Sequence, residues 1–195
     1  MARAKDQIAL PGFGNAAPSD RLLLLIYPDP VMAARIAGLA EPLRRAEGLT
    51  GAAVAADRLH ITLHHLGEYD GVPKHIAATA SEAMAKVDFP AFPVVFDRIH
   101  YFRRPRNQPI ILRGDDGLND LVAFQQVLGT ALARHGLGKL VDRHFTPHVT
   151  LLYDDRDIAE RAAEPIRWTV REFALVHSLL GQTRHVTLAR WSLAE

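Results

Sequence analysis

The order strand, helix, strand occurs twice along this 195-residue chain, and both times the second strand carries a histidine followed two places later by threonine and then leucine. In the first half, "RLLLLIY" (Arg21 to Tyr27) is an apolar run of strand length closed by Pro28. Asp29 and Pro30 supply an N-cap and a first helical residue, and Met32, Ile36, Leu39 and Leu43 recur at helical spacing up to Gly48. "RLHITLHHLG" (Arg58 to Gly67) reads as the next strand, and Pro73 opens a helix carrying Ile76, Ala80, Met84 and Val87 on one face. In the second half, "FPVVFDRI" and "PIILRG" read as strands flanking the loop "YFRRPRNQ". A helix from about Leu118 to His135 ends at Gly136, and "FTPHVTLLY" (Phe145 to Tyr153) is again a strand. A chain of this length suits one compact domain or two small lobes sharing a core. The duplication favours two lobes related by a pseudo-two-fold axis, with His60 and His148 at equivalent places.

Two stretches stand apart from the repeat. Residues 1–20, rich in Gly, Ala and Pro without periodicity, read as a flexible N-terminal arm whose Phe13 could dock on the body, and residues 21–195 as the folded domain. "RWTVREFALVHSLLGQTRHVTLARWSL" reads as two long strands turning near Gly181. Its "HVTL" around His185 is a third copy of the word, but no helix precedes it. It is expected to be the last strand of the chain, outside the active site.

Side chains alternate along a strand, so His60 and Thr62 share one face, with Ile61 and Leu63 behind them; His148 and Thr150 repeat this against Val149 and Leu151. Two such strands side by side offer two imidazoles and two hydroxyls. In-line displacement at phosphorus needs one base for the nucleophile and one acid for the leaving oxygen, and histidine serves either role near neutral pH. Threonine hydroxyls can donate to the non-bridging oxygens. No metal or cofactor is required by this scheme.

Composition removes several alternatives. With no cysteine, thiolate metal sites and cysteine nucleophiles are excluded. A net charge of +1 argues against sequence-blind binding of duplex DNA, which needs many phosphate contacts. No signal-peptide pattern or membrane-length apolar run is visible, so a cytoplasmic protein, not bound to membrane and monomeric, is expected.

With "LHITLHHLGE" (Leu59 to Glu68) and "FTPHVTLLY" in place, the chain resembles the two-histidine (2H) phosphoesterases, and within them the bacterial RNA 2′,3′-cyclic phosphodiesterases also called 2′-5′ RNA ligases. The resemblance covers roughly Arg21 to Leu193. It implies an α+β fold of two pseudo-symmetric lobes, each with an antiparallel sheet and flanking helices, the motif strands lining a central cleft. It implies metal-independent opening of 2′,3′-cyclic phosphates at RNA ends or on nucleotides, with reversal to a 2′-5′ linkage. It also implies His60 and His148 as catalytic residues and Thr62 and Thr150 as phosphate-binding ones. Family members often carry a basic residue shortly after the second motif; here that place is Tyr153, a candidate for contacting substrate.

Further candidates come from the residues themselves. Arg103, Arg104 and Arg106 could form a basic lid over an anionic substrate, with Tyr101 or Phe102 stacking on a base or packing in the core. By alternation His64 shares the face of His60 and could line the cleft, whereas His65 falls on the apolar side and reads as a partly buried structural residue. His177 and His185, equally distant from Gly181, could pair across the last hairpin. The rivals to the cyclic phosphodiesterase are an enzyme for another small cyclic phosphate such as an ADP-ribose derivative, a non-catalytic nucleotide or RNA binder, and a metal-dependent hydrolase.

Overall fold

The computed structural model describes residues 18–195; the expected N-terminal arm up to residue 17, with Phe13, lies outside them. Eight strands and four helices follow in the order β1 (Asp20–Ile26), α1 (Pro30–Gly38), α2 (Ala40–Glu47), β2 (Ile61–Tyr69), α3 (Lys74–Met84), β3 (Phe92–Tyr101), β4 (Gln108–Arg113), α4 (Asn119–Leu132), β5 (His148–Asp154), β6 (Arg161–Val170), β7 (Glu172–Leu179) and β8 (Arg184–Ser192). They form two antiparallel four-stranded sheets ordered β2-β1-β7-β8 and β5-β4-β3-β6. The two orders correspond strand for strand. Each motif strand, β2 or β5, is an edge strand, and the other places are filled in parallel fashion by β1 and β4, β7 and β3, β8 and β6.

The helices start and stop where local chemistry dictates. Asp29 accepts from the amides of Val31 and Met32 at 2.9 Å ahead of Pro30 at N1. Gly48 ends α2 at φ 64°. The single helix expected over this stretch breaks at Leu39 into α1 and α2.

The tail differs more from expectation. "RWTVREFALVHSLL" is not one strand: β6 lies in the second sheet, β7 in the first, and the chain passes between sheets at Arg171. The final hairpin β7-β8 therefore completes the first sheet and belongs to the repeat. No local sequence signal marks this exchange: β6 alternates toward its end and β7 is a largely buried run, and either pattern suits either sheet.

One apolar core runs through both lobes. Phe124 of α4 stands between Phe92 of β3 and Phe173 of β7, with ring centroids at 5.4 and 5.1 Å, so a single side chain joins the two sheets. Phe124→Ala is expected to destabilise the protein by about 3 to 5 kcal/mol, the usual cost of emptying a buried aromatic site, as read from chemical denaturation. A loss below about 1 kcal/mol would show that the lobes do not share this core.

The loop after α2 clamps the lobes a second time. Buried Asp154 of β5 accepts from the amides of Thr50 (2.7 Å), Gly51 (2.8 Å) and Arg156 (3.0 Å), and Ala53 bridges Leu152. Gly51 is required here: a Cβ would lie 1.7 Å from the Tyr153 carbonyl oxygen. Burial pushes the Asp154 carboxyl up, but the amides of Gly51, Arg156, Thr50 and Asp155 outweigh it and hold the group below the ordinary carboxyl value. A carboxyl with a depressed folded pKa stabilises fully above its unfolded pKa and loses that contribution as pH falls through the folded value. Asp154→Ala strips three amides of their acceptor and is expected to cost about 3 kcal/mol at pH 7. The deficit relative to wild type should shrink below about pH 4; a deficit independent of pH would contradict the assignment.

Candidate active site

The two motif strands meet at the junction of the lobes, and their backbones deviate from regular pairing at the same place. Opposite β1, Leu24 pairs with His64 and Leu25 with Thr62, leaving Leu63 as an extra residue. Opposite β4, Ile110 pairs with Leu152 and Ile111 with Thr150, leaving Leu151 extra. Each is a β-bulge immediately after the threonine, so the extra residue and its successor both enter the core. Thr62 stays on the other face, in register with Leu25 and Ala174, and Thr150 in register with Ile111.

The bulge overturns two expectations. His64 does not line the cleft: it is the counterpart of fully buried Leu152, 1% exposed, with Nε2 2.9 Å from the Gln125 carbonyl oxygen and Nδ1 3.4 Å from Gln125 Nε2. Strict alternation fails because one inserted residue exchanges the faces beyond it. For the same reason His65 is the exposed one, on the cleft side beside Glu68.

His60 and His148 are held alike. The Nδ1–H of His60 donates to the carbonyl of Arg58 (2.6 Å) and that of His148 to the carbonyl of Thr146 (2.7 Å), in each case two residues upstream. A carbonyl can only accept, so in the neutral ring Nδ1 carries the proton and Nε2 presents its lone pair. Burial pushes the His60 imidazole down to about 4, helped by the charges of Arg58, His148 and Arg21, while the Arg58 carbonyl opposes the shift. Burial also lowers His148, with Arg104 contributing. The charge of His148 is felt at His60, and strands β2 and β5 that carry the two motifs are in contact.

Around His148, Phe102 stands edge-on at 4.9 Å between ring centroids. Tyr101 packs partly on the core and accepts from Arg103, whose guanidinium also pairs with Asp157 at 3.5 Å. Arg103, Arg104 and Arg106 are exposed on the loop between β3 and β4, and of the three only the charge of Arg104 reaches His148. Tyr153 is 41% exposed on the face of Thr150.

Around His60 the structure corrects a further expectation. His185 does not stay outside: its ring centroid is 5.2 Å from that of His60, its Nδ1 is 3.0 Å from the Tyr27 hydroxyl and its Nε2 3.5 Å from Arg58 Nη2. Exchange of β6 and β7 between sheets makes β8 a strand of the first lobe, and this carries His185 to the cleft. Nor does His177 pair with it: His177 faces Val186 in the hairpin and bonds Asp20 instead. Burial and the neighbouring His60 and Arg58 push His185 down to about 4, so it is neutral at pH 7. A guanidinium only donates, so Nε2 of His185 is the acceptor and Nδ1–H donates to Tyr27, leaving the Tyr27 O–H free to donate elsewhere. No motif marks Tyr27 or the Arg58 side chain, whereas His185 stands in the third "HVTL", which the absence of a preceding helix had set apart from the site. Among the described residues no group of three or more His, Cys, Asp or Glu side chains is arranged to hold a metal ion.

Two similar lobes, each presenting an oriented histidine and a threonine from a bulged edge strand, define the class of two-histidine phosphoesterases. The sequence profile of the 2′-5′ RNA ligase superfamily matches residues 28–182, and the chain belongs to that family. It is 30% identical over 153 residues to the RNA 2′,3′-cyclic phosphodiesterase of Escherichia coli strain K12, covering 74% of this chain and 81% of that protein. Among solved structures, a phosphoesterase superimposes with a TM-score of 0.72 at 25% identity, over 91% of this chain and 100% of the other. Escherichia coli LigT complexed with ATP does so at 0.71 and 25%, over 92% and 100%. Among the described residues no helix is long and apolar enough to cross a membrane.

Proposed function

We propose that this protein hydrolyses 2′,3′-cyclic phosphates at RNA ends or on nucleotides to 2′-phosphomonoesters, and that the same site runs the reverse condensation to a 2′-5′ linkage. The observation that carries this reading is the matched anchoring of His60 and His148, each with Nδ1–H on the carbonyl two residues upstream and Nε2 free. The name of the Escherichia coli relative points to the same substrate class.

In hydrolysis one neutral imidazole takes a proton from water through Nε2 as the oxygen attacks phosphorus. The bond from phosphorus to O3′ breaks on the opposite side, and the other imidazole, protonated, gives its proton to O3′. Charge on the non-bridging oxygens is met by the hydroxyls of Thr62 and Thr150. Phe102 and Tyr153 border the His148 side, where the ribose and base attached to the cyclic phosphate would lie.

The test is incubation of the protein with adenosine 2′,3′-cyclic phosphate and with cyclic-phosphate-ended RNA in EDTA, followed by assignment of the product phosphate to O2′ or O3′. Turnover in chelator giving the 2′-monoester is expected. Turnover that chelator abolishes, or a 3′-monoester, would overturn the scheme.

The pH dependence follows from the lowered imidazoles. The active form has one ring neutral and one protonated, and both rings of the free enzyme titrate below the ordinary histidine value of about 6.5. A bell-shaped kcat/KM profile with its maximum on the acid side of that value is expected. A bound phosphate anion favours the protonated form and raises both values, so the kcat profile should lie at higher pH. A profile flat from about pH 5 to 9 contradicts two-histidine acid–base chemistry.

A further inference from the structure

A cavity of about 590 Å³ opens beside His60, behind the rings of Tyr27 and His185. One wall is apolar, formed by Pro28, Pro30 and Ala33. The other is cationic, with Arg58, Arg184 and Arg190 against the single carboxylate of Asp57. Arg190 is paired with Glu172 and sits over the Tyr27 ring at 5.9 Å. Among the described residues Arg58 and Arg184 have no carboxylate within ion-pair distance, and Arg58 Nε is buried without a hydrogen-bond partner. A desolvated guanidinium nitrogen with nothing to donate to is costly unless an acceptor arrives. His185, neutral and tied to Tyr27, holds the Arg58 fork at 3.5 Å against the cavity. Thr183 at the tip of the β7-β8 hairpin, held at φ 50°, adds a hydroxyl to the same wall.

We propose that this cavity is a second anion subsite, which takes a phosphate group carried by the substrate in addition to the cyclic phosphate held between His60 and His148. The proposal rests on the cyclic phosphodiesterase reading and deepens it. The volume falls in the range of small-ligand pockets and exceeds what one phosphate fills, so beyond that phosphate the apolar wall has room for a preceding nucleoside, while the terminal ribose and base stay on the His148 side. Guanidinium forks match phosphate oxygens in pairs, which a lone base or ribose would not require. The enzyme is thus built for substrates with a phosphate on the 5′ side of the terminal ribose, and Arg58 serves both lobes of the job: its carbonyl orients His60 and its side chain reaches the neighbouring phosphate.

The experiment compares kcat/KM for three substrates: adenosine 2′,3′-cyclic phosphate, the same nucleoside bearing a 5′-phosphate, and the adenylyl dinucleotide ending in a 2′,3′-cyclic phosphate. Wild type should favour at least one of the two phosphate-bearing substrates by on the order of tenfold, the worth of a charged hydrogen bond. Which one is favoured tells whether a terminal monoester or an internal diester is the natural occupant. In Arg58→Gln and Arg184→Gln the ratio to the unphosphorylated substrate should fall toward one; taking the ratio cancels any effect of Arg58 on His60 itself. Arg134→Gln, beyond α4 and away from the cavity, should keep the wild-type ratio. A wild-type ratio near one, or a ratio that falls equally in Arg134→Gln, overturns the subsite. If none of the three substrates turns over, the cyclic phosphodiesterase reading fails instead.

Discussion

Replacing either His60 or His148 by alanine is expected to lower kcat on a 2′,3′-cyclic phosphate by between about 10² and 10⁴-fold, the range that one positioned acid or base contributes. The two losses should be of similar size, because the two rings are anchored alike and the proposed scheme gives each of them one proton transfer. The double variant should fall little below the worse single one, since either loss already breaks the coupled transfer. Thermal melts provide the control: both rings are only half-buried and each gives up one hydrogen bond to a backbone carbonyl, so the melting temperatures should change modestly. A variant that keeps more than about a tenth of wild-type turnover would remove that histidine from the chemistry.

Thr62→Val and Thr150→Val are expected to lower kcat by about 10² to 10³-fold, the measured scale for removing one donor to a developing oxyanion. Valine keeps the β-branch that suits the strand, so the change isolates the hydroxyl. Thr→Ser at the same positions restores a donor and should recover most of the rate. The division between constants carries the mechanism: a loss in kcat with KM nearly unchanged marks hydroxyls that tighten on the transition state, whereas a loss confined to KM would make them anchors of the ground state. The bulge at Leu63 or Leu151 is what keeps each hydroxyl on the cleft face while the next two residues turn inward.

Much of this site could be read from local chemistry. The pairing of His60 with Thr62 and of His148 with Thr150 needs only strand alternation over three residues, and the N-cap at Asp29 and the stop at Gly48 need only helix-end preferences. His64 and His65 were misplaced by the same alternation, carried two residues too far. A bulge depends on how β1 and β4 pair with the motif strands, and nothing within "LHITLHHLG" encodes its partner. His185 was misplaced for a different reason: its own strand is recognisable, but which sheet receives that strand is settled by the crossing at Arg171.

The sequence by itself determined the duplicated strand–helix–strand units, the two histidine–threonine pairs and the absence of any thiol chemistry, because each follows from periods of a few residues or from composition. Only the tertiary structure decided that β6 and β7 trade sheets, that His64 is buried while His185 reaches His60, and that Arg58, Arg184 and Arg190 surround one cavity. Those outcomes depend on strand pairing between residues from about 40 to about 160 positions apart, where the energy lies in shared core and register rather than in any local preference of the chain.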